Sequence, residues 1–324
     1  LTAMVTSKIV QAAGGRDVLF FGTRRVPGFE AAMSMTKACY VTGCISHSNI
    51  MGEYFYNLKS TGTMTHGFIQ SFGMDEDSEY RAFDRFIKTY GHKKYPLVML
   101  VDTYDTMKSG ITAAVRAFKD NGVNDGYEGM YGIRIDSGNL GELSKKCRKI
   151  LNENGFFKAK IILTGGLDEQ RIKELIENGA EVDVFGVGDA IALPEKEIST
   201  VYKMSKIGVT DVMKISDEEQ KTSLPGSKEL YRIYENNDFT DVIMLEKETP
   251  EGKNVKKLTV DYIKNGEKIE ENCRLLGLEE AKKYYKDNLL YLQKIYSEKE
   301  KRNRVKLSEN LKKLKEDLIK SKKS

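Results

Sequence analysis

One histidine in this chain stands in a setting that would expose it: Ser60-Thr-Gly-Thr-Met-Thr-His66-Gly67 frames its imidazole with hydroxyls and glycines. Imidazole exchanges protons near neutral pH and also accepts phosphoryl groups, so His66 reads as a base or nucleophile on a loop that a ligand approaches closely. Of the three histidines, His47 has no local signal, and His92 follows the helix-ending Gly91 as a surface residue. A loop histidine by itself is as often a bystander as a participant. The case therefore rests on its companions.

Those companions are carboxylates, glycines and guanidinium groups. Asp102 and Asp105 in Val-Asp-Thr-Tyr-Asp, and Asp136 in Ile-Arg-Ile-Asp-Ser-Gly, each follow a short apolar run. Carboxylates so placed orient a histidine, accept ribose hydroxyls or help hold the Mg²⁺ that accompanies a diphosphate. Helix and loop capping is the plain alternative for any one of them; three together favour function. Thr164-Gly165-Gly166 and Phe185-Gly-Val-Gly188 put glycines where backbone amides can meet a phosphate. Phe21-Gly-Thr-Arg24-Arg25 combines a ring that can stack on a flat heterocycle with charges that pair with a carboxylate or phosphate.

Positioning these residues requires strands that end where they begin. Leu97–Asp102, Gly132–Asp136, Lys160–Thr164 and Val182–Gly186 are Val- and Ile-rich runs of the kind buried in parallel sheets. Helical spacings lie between them: Ile111, Ala114, Val115 and Phe118; Leu143, Cys147, Ile150 and Leu151; and a helix capped by Asp168 that buries Ile172, Leu175 and Ile176 before Gly179. Repeated strand-loop-helix units predict an α/β barrel, because polar or glycine residues stand at the tip of every strand rather than at one switch point. No Gly-x-Gly-x-x-Gly follows a strand. The pattern changes near Glu229 to alternating stretches, predicting a barrel core over 1–228 and antiparallel strands with C-terminal helices over 229–324.

Composition bounds the class. The 324 residues carry 52 basic and 48 acidic side chains, a net charge of +4 that gives no case for a nucleic-acid partner. Four scattered cysteines without a Cys-x-x-Cys pair suit a reducing, cytoplasmic setting, and no apolar run approaches the roughly 20 residues of a membrane helix. The chain opens inside a helical pattern with no start signal, as though a preceding portion were absent.

Taken in order, Phe21-Gly-Thr-Arg-Arg25, Ser48-Asn49, Gly62-Thr-Met-Thr-His66, Leu100-Val-Asp-Thr-Tyr-Asp105, Ile133-Arg-Ile-Asp-Ser-Gly138, Phe185-Gly-Val-Gly188, Val201-Tyr-Lys203, Lys214-Ile-Ser216 and Leu224-Pro-Gly-Ser-Lys228 resemble the nicotinate phosphoribosyltransferases. The resemblance implies an irregular, type II phosphoribosyltransferase-like α/β barrel with a smaller α/β region, a homodimer with shared sites, and ATP-coupled synthesis of nicotinate mononucleotide from nicotinate and phosphoribosyl pyrophosphate, with Mg²⁺ on the diphosphate. By that resemblance His66 is the phosphorylated histidine and Asp102 the carboxylate that orients it. Phe21, Arg24, Ser48 and Arg134 surround nicotinate, while Asp136, Ser137, Gly165, Gly166, Gly188 and Asp189 line the ribose and phosphate pocket. Relatives that use nicotinamide carry an acidic residue near the position of Ser48, so Ser48 favours the acid. Many relatives have a small residue in place of Asp189, whose charge calls for a cation beside the phosphate pocket. Nicotinamide or quinolinate transfer, and a ligand-binding fragment without activity, stand as alternatives.

Overall fold

The computed structural model describes residues 1–193, 198–235, 238–273, 277–297 and 305–323. The chain packs as two units, residues 1–197 with 278–285 and residues 198–277 with 286–324. This division falls earlier than the change of sequence pattern at 228/229.

In the first unit, strands β1 (Asp17–Phe20), β2 (Ser46–His47), β3 (Leu97–Leu100), β4 (Tyr131–Ile135), β5 (Lys160–Leu163) and β6 (Val184–Val187) form one sheet in the order β2-β1-β6-β5-β4-β3. Every pairing is parallel. Helix α1 (Thr2–Ala12) precedes the first strand, the connections carry α2 (Phe29–Val41), α3 (Ile50–Tyr56), α4 (His66–Gln70), α5 (Ser78–Tyr90), α6 (Ile111–Asp120), α7 (Leu140–Glu153) and α8 (Glu169–Glu177), and α9 (Asp189–Ala192) follows the last. Asp168 caps α8 by accepting the Arg171 amide at 2.7 Å, as its position in the sequence predicts.

Side chains alternate across each strand, and the alternation sorts two apolar layers. Val18, Phe20, Leu97, Met99, Ile133, Ile135, Ile161, Leu163, Phe185 and Val187 join the helices in the main core. Leu19, Val98, Ile162 and Val184 form a second cluster on the inner face, with Phe21 and Met130 against it. The four anticipated strands are β3 to β6. Strands β1 and β2 were not anticipated: Asp-Val-Leu-Phe opens on a charge, and Ser46-His47 is too short to carry a pattern.

The architecture is an irregular α/β barrel whose two edge strands, β2 and β3, are bridged by a loop. Ser60 makes a parallel bridge with His47, and Thr61 donates its amide to the His47 carbonyl at 2.8 Å. The segment then runs on to contacts with residues of β4 and the end of β3, described below.

The second unit contains a sheet in which Lys228–Glu235 pairs antiparallel with both Asp238–Leu245 and Val255–Lys257. Its remaining described strand, Val305–Leu307, pairs parallel with Asp238–Leu245. That strand lies in a region whose leucine spacing predicts helix; helix Glu309–Lys323 follows it.

Candidate active site

His66 does not sit in a loop, as its glycine and hydroxyl neighbours suggest, but opens α4 as its first residue. Thr65 caps this short helix, its hydroxyl accepting the Phe68 amide at 3.2 Å. The imidazole is part-exposed. Its Nδ1 lies 3.1 Å from the Thr103 hydroxyl, and its Nε2 lies 3.9 Å from the Asp136 carboxylate. Asp102 therefore does not make the orienting contact expected of it. One Asp102 oxygen accepts the Ser137 hydroxyl at 2.6 Å and the Asp136 amide at 3.1 Å, while the other is buried without a hydrogen-bond partner. Asp102 braces the β4 turn; Thr103, its neighbour in sequence, holds the ring.

Arg134 on β4 and Asp136, one residue past its end, stand two residues apart and so on the same face. The Arg134 guanidinium donates to Thr164 at 2.8 Å, to Thr63 at 2.7 Å and to Asp136 at 2.8 Å. Thr164 also donates to Asp136. Three of the five guanidinium N–H bonds are thus committed, leaving two for a ligand carboxylate or phosphate. Burial pushes the Asp136 carboxyl up, but the Thr164 hydroxyl and the Arg134 guanidinium outweigh it and hold the group below its usual range. Asp136 is an anion set beside an imidazole, able to stabilise positive charge that develops between them.

Glycine is required where backbones and rings meet. A Cβ at Gly186 would stand 2.6 Å from the Thr164 methyl and 2.8 Å from the Phe21 ring, so the missing side chain lets Phe21 lie against Thr164 on the inner face. Gly165 has φ +87°, and a Cβ there would fall 1.9 Å from the Asp136 carbonyl oxygen. Gly166 also has positive φ, with open space where its side chain would be. Gly188 differs: a Cβ would make only ordinary contact, 3.6 Å from the Phe21 carbonyl oxygen.

The remaining expected residues lie around this centre. Ser48 donates to the Thr23 hydroxyl at 3.0 Å, tying the end of β2 to the turn after β1. Arg24 is exposed, and no hydrogen bond or ion pair engages it among the described residues. Asp189 pairs with Arg25 at 3.0 Å, which supplies the cation that its charge calls for. Asp105 turns its carboxylate onto the Met107 and Lys108 amides, the capping alternative. Sequence reasoning passed over Thr63, Thr103 and Thr164 as functional groups, although all three lie within the motifs it singled out.

Among the described residues no group of three or more His, Cys, Asp or Glu side chains gathers to hold a metal ion. No helix there is long and apolar enough to cross a membrane.

An α/β barrel with a histidine, an anionic aspartate and a braced arginine at the C-terminal ends of its strands has the layout of a phosphoribosyltransferase. The sequence profile of the nicotinate phosphoribosyltransferase (NAPRTase) family matches residues 18–251, and the chain belongs to that family. Nicotinate phosphoribosyltransferase of Bacillus subtilis is 38% identical over 239 residues, covering 72% of this chain and 46% of its own length. Nicotinate phosphoribosyltransferase pncB2 of Mycobacterium tuberculosis is 33% identical over 239 residues, covering 73% of this chain and 49% of its own. The chain thus spans about half the length of these relatives. Among solved structures, nicotinate-nucleotide pyrophosphorylase from Pyrococcus furiosus superposes with a TM-score of 0.70 at 25% identity, covering 89% of this chain and 69% of that one. Human nicotinic acid phosphoribosyltransferase shares the fold with a TM-score of 0.72 at 19% identity, covering 97% of this chain and 73% of its own.

Proposed function

We propose that this chain carries the phosphoribosyl-transfer site of an ATP-coupled nicotinate phosphoribosyltransferase, which forms nicotinate mononucleotide and pyrophosphate in NAD salvage. The observation that carries the reading is the convergence of His66, Asp136, Arg134 and Thr164 above Phe21. Nicotinate stacks on Phe21 and meets Arg24 and the two uncommitted N–H bonds of Arg134 through its carboxylate. Ser48 brings no negative charge that would repel that carboxylate. The ribose and 5′-phosphate of phosphoribosyl pyrophosphate lie along Asp136, Ser137 and the Gly165-Gly166 turn, with Gly188 and the Arg25-paired Asp189 bounding the pocket.

In the transfer, the pyridine nitrogen forms a bond to the anomeric carbon as the bond to pyrophosphate breaks. Asp136 faces the positive charge that builds up on the ribose. Mg²⁺ enters this reading as the counter-ion of the diphosphate substrate. ATP is coupled through His66. With Nδ1 engaged by Thr103, Nε2 is the nitrogen left to take the γ-phosphoryl group as its bond to ADP breaks. The free, buried thiols of Cys39, Cys44 and Cys147 suit a reducing cytoplasm, and a homodimer is the assembly this reading carries.

The test is product formation. The chain is incubated with phosphoribosyl pyrophosphate, Mg²⁺ and ATP together with nicotinate, nicotinamide or quinolinate in turn, and the nucleotide is followed by chromatography. Nicotinate alone should give product, and His66→Ala should abolish the gain that ATP provides. A His66→Ala protein that retains full ATP dependence sinks the phosphohistidine step. Turnover of another pyridine in preference to nicotinate sinks the substrate.

A further inference from the structure

The guanidinium of Arg134 is held from two directions that differ in kind. Its side chain is 17% exposed, and Nε and one terminal nitrogen donate to Thr164 and Asp136 at 2.8 Å each. Those two acceptors are bonded to each other and stand just past the ends of β5 and β4, so both contacts lie along one edge of the planar group. An edge acts as a hinge: two contacts on it leave the plane free to tilt about their line. The third contact removes that freedom. The other terminal nitrogen donates to the Thr63 hydroxyl at 2.7 Å, and three points define a plane.

Thr63 belongs to neither of these strands. It lies in the segment that crosses from β2 towards β3 and ends at His66, 71 residues before Arg134. That segment is anchored on either side of it: the Thr61 amide donates to the His47 carbonyl at 2.8 Å, and Met64 is buried in the main core at 4% exposure. Between those anchors a Cβ at Gly62 would meet nothing within 4 Å, and among the described residues no backbone hydrogen bond holds Gly62, Thr63 or Met64. A loop threonine ordinarily turns its hydroxyl onto nearby backbone. The Thr63 hydroxyl instead serves Arg134, and the two N–H bonds that Arg134 has left take their direction from it. Direction matters most for a carboxylate. Its two oxygens accept a pair of parallel N–H bonds in the guanidinium plane, whereas a carboxamide offers one acceptor and turns a donor to the second position.

We propose that Thr63 is a positioning residue that sets substrate choice: by fixing the plane of the Arg134 guanidinium it favours a pyridine carboxylate over a carboxamide. The inference deepens the proposed function and rests on it, since it takes Arg134 as the group that meets the nicotinate carboxylate. Ser48 acts on the same choice by bearing no charge. Thr63 acts on it by geometry.

Equilibrium dialysis of radiolabelled nicotinate and nicotinamide against the chain is the test. The native chain should bind nicotinate more tightly than nicotinamide. Thr63→Val keeps the shape and removes the hydroxyl; nicotinate should weaken about tenfold, as for loss of a hydrogen bond to a charged group, and nicotinamide by less than about threefold. Thr63→Ser, which keeps the acceptor, should hold the native ratio of the two affinities. Thr63→Ala removes the hydroxyl without the bulk of valine and should repeat the Val result, so it takes the place of Val if that variant does not fold. Equal weakening of both pyridines when the hydroxyl is removed means general loosening and overturns the proposal, as does a Ser variant that behaves like Val. A native chain that binds neither pyridine, or prefers nicotinamide, overturns the proposed function and this inference with it. Native preference for nicotinate with a ratio that Val and Ala leave unmoved overturns this inference alone.

Discussion

Asp136 is an anion because two hydrogen-bonding neighbours outweigh its burial, and this makes its charge a measurable contribution. Its carboxyl lies below the usual range in the folded chain, so it stabilises the fold fully above the unfolded value, and that contribution is lost as pH falls through the folded value. Denaturant midpoints measured from neutral to acid should therefore fall more steeply for the native chain than for Asp136→Asn; parallel curves would mean that the carboxylate is not held by Arg134 and Thr164. In the proposed reaction the same variant removes the charge facing the transferred ribose, and turnover should drop on the order of 100-fold with a smaller change in nicotinate KM. The types of the central residues were legible in the sequence, because Asp and Arg at the ends of apolar runs mark the mouth of a barrel. The partner of His66 was not. Asp102 and Thr103 are adjacent, and which of them reaches the ring depends on how α4 meets the turn after β3 across the gap between the edge strands.

At the scale of elements, the sheet succeeds as a platform because glycine lets neighbouring strand ends close on one another. The strands β3 to β6 could be read from their Val and Ile content, whereas β1 and β2 could not, since their short segments take their extended form from pairing with β6 and from the loop at Ser60. Gly186 shows what the pairing serves. Adding a methyl group there sets it within 2.8 Å of the Phe21 ring and 2.6 Å of the Thr164 methyl, while the backbone φ is acceptable to alanine. Gly186→Ala should thus act through displacement of Phe21 and Thr164 more than through backbone strain. We expect a loss of about 1–3 kcal/mol from overpacking, together with a rise in nicotinate KM that exceeds the fall in kcat. A denaturation curve with a steady-state series on nicotinate checks both, and an unchanged KM would remove Phe21 from the pyridine site.

On the scale of the whole molecule, the first unit presents an aromatic cluster to solvent beside the end of β2. Phe29, Ile50, Tyr54 and Phe55 are all more than half exposed, with Phe55 edge-on to both Phe29 and Tyr54. Isolated exposed apolar residues need no explanation, but a contiguous group marks a surface that another surface covers. Ile50 stands two residues after Ser48, so a second copy seated on the cluster would bring its own groups to the rim of the proposed nicotinate pocket. This gives the proposed homodimer a concrete consequence. In sedimentation equilibrium the 36.7 kDa chain should behave as a species of about twice that mass at micromolar concentration. Replacing Tyr54 and Phe55 together by serine should shift it towards monomer, with loss of turnover in the same concentration range, because a shared site fails when its partner leaves. A double variant that remains dimeric would place the interface elsewhere. A monomeric double variant with full turnover would separate assembly from catalysis and leave each protomer's site complete in itself.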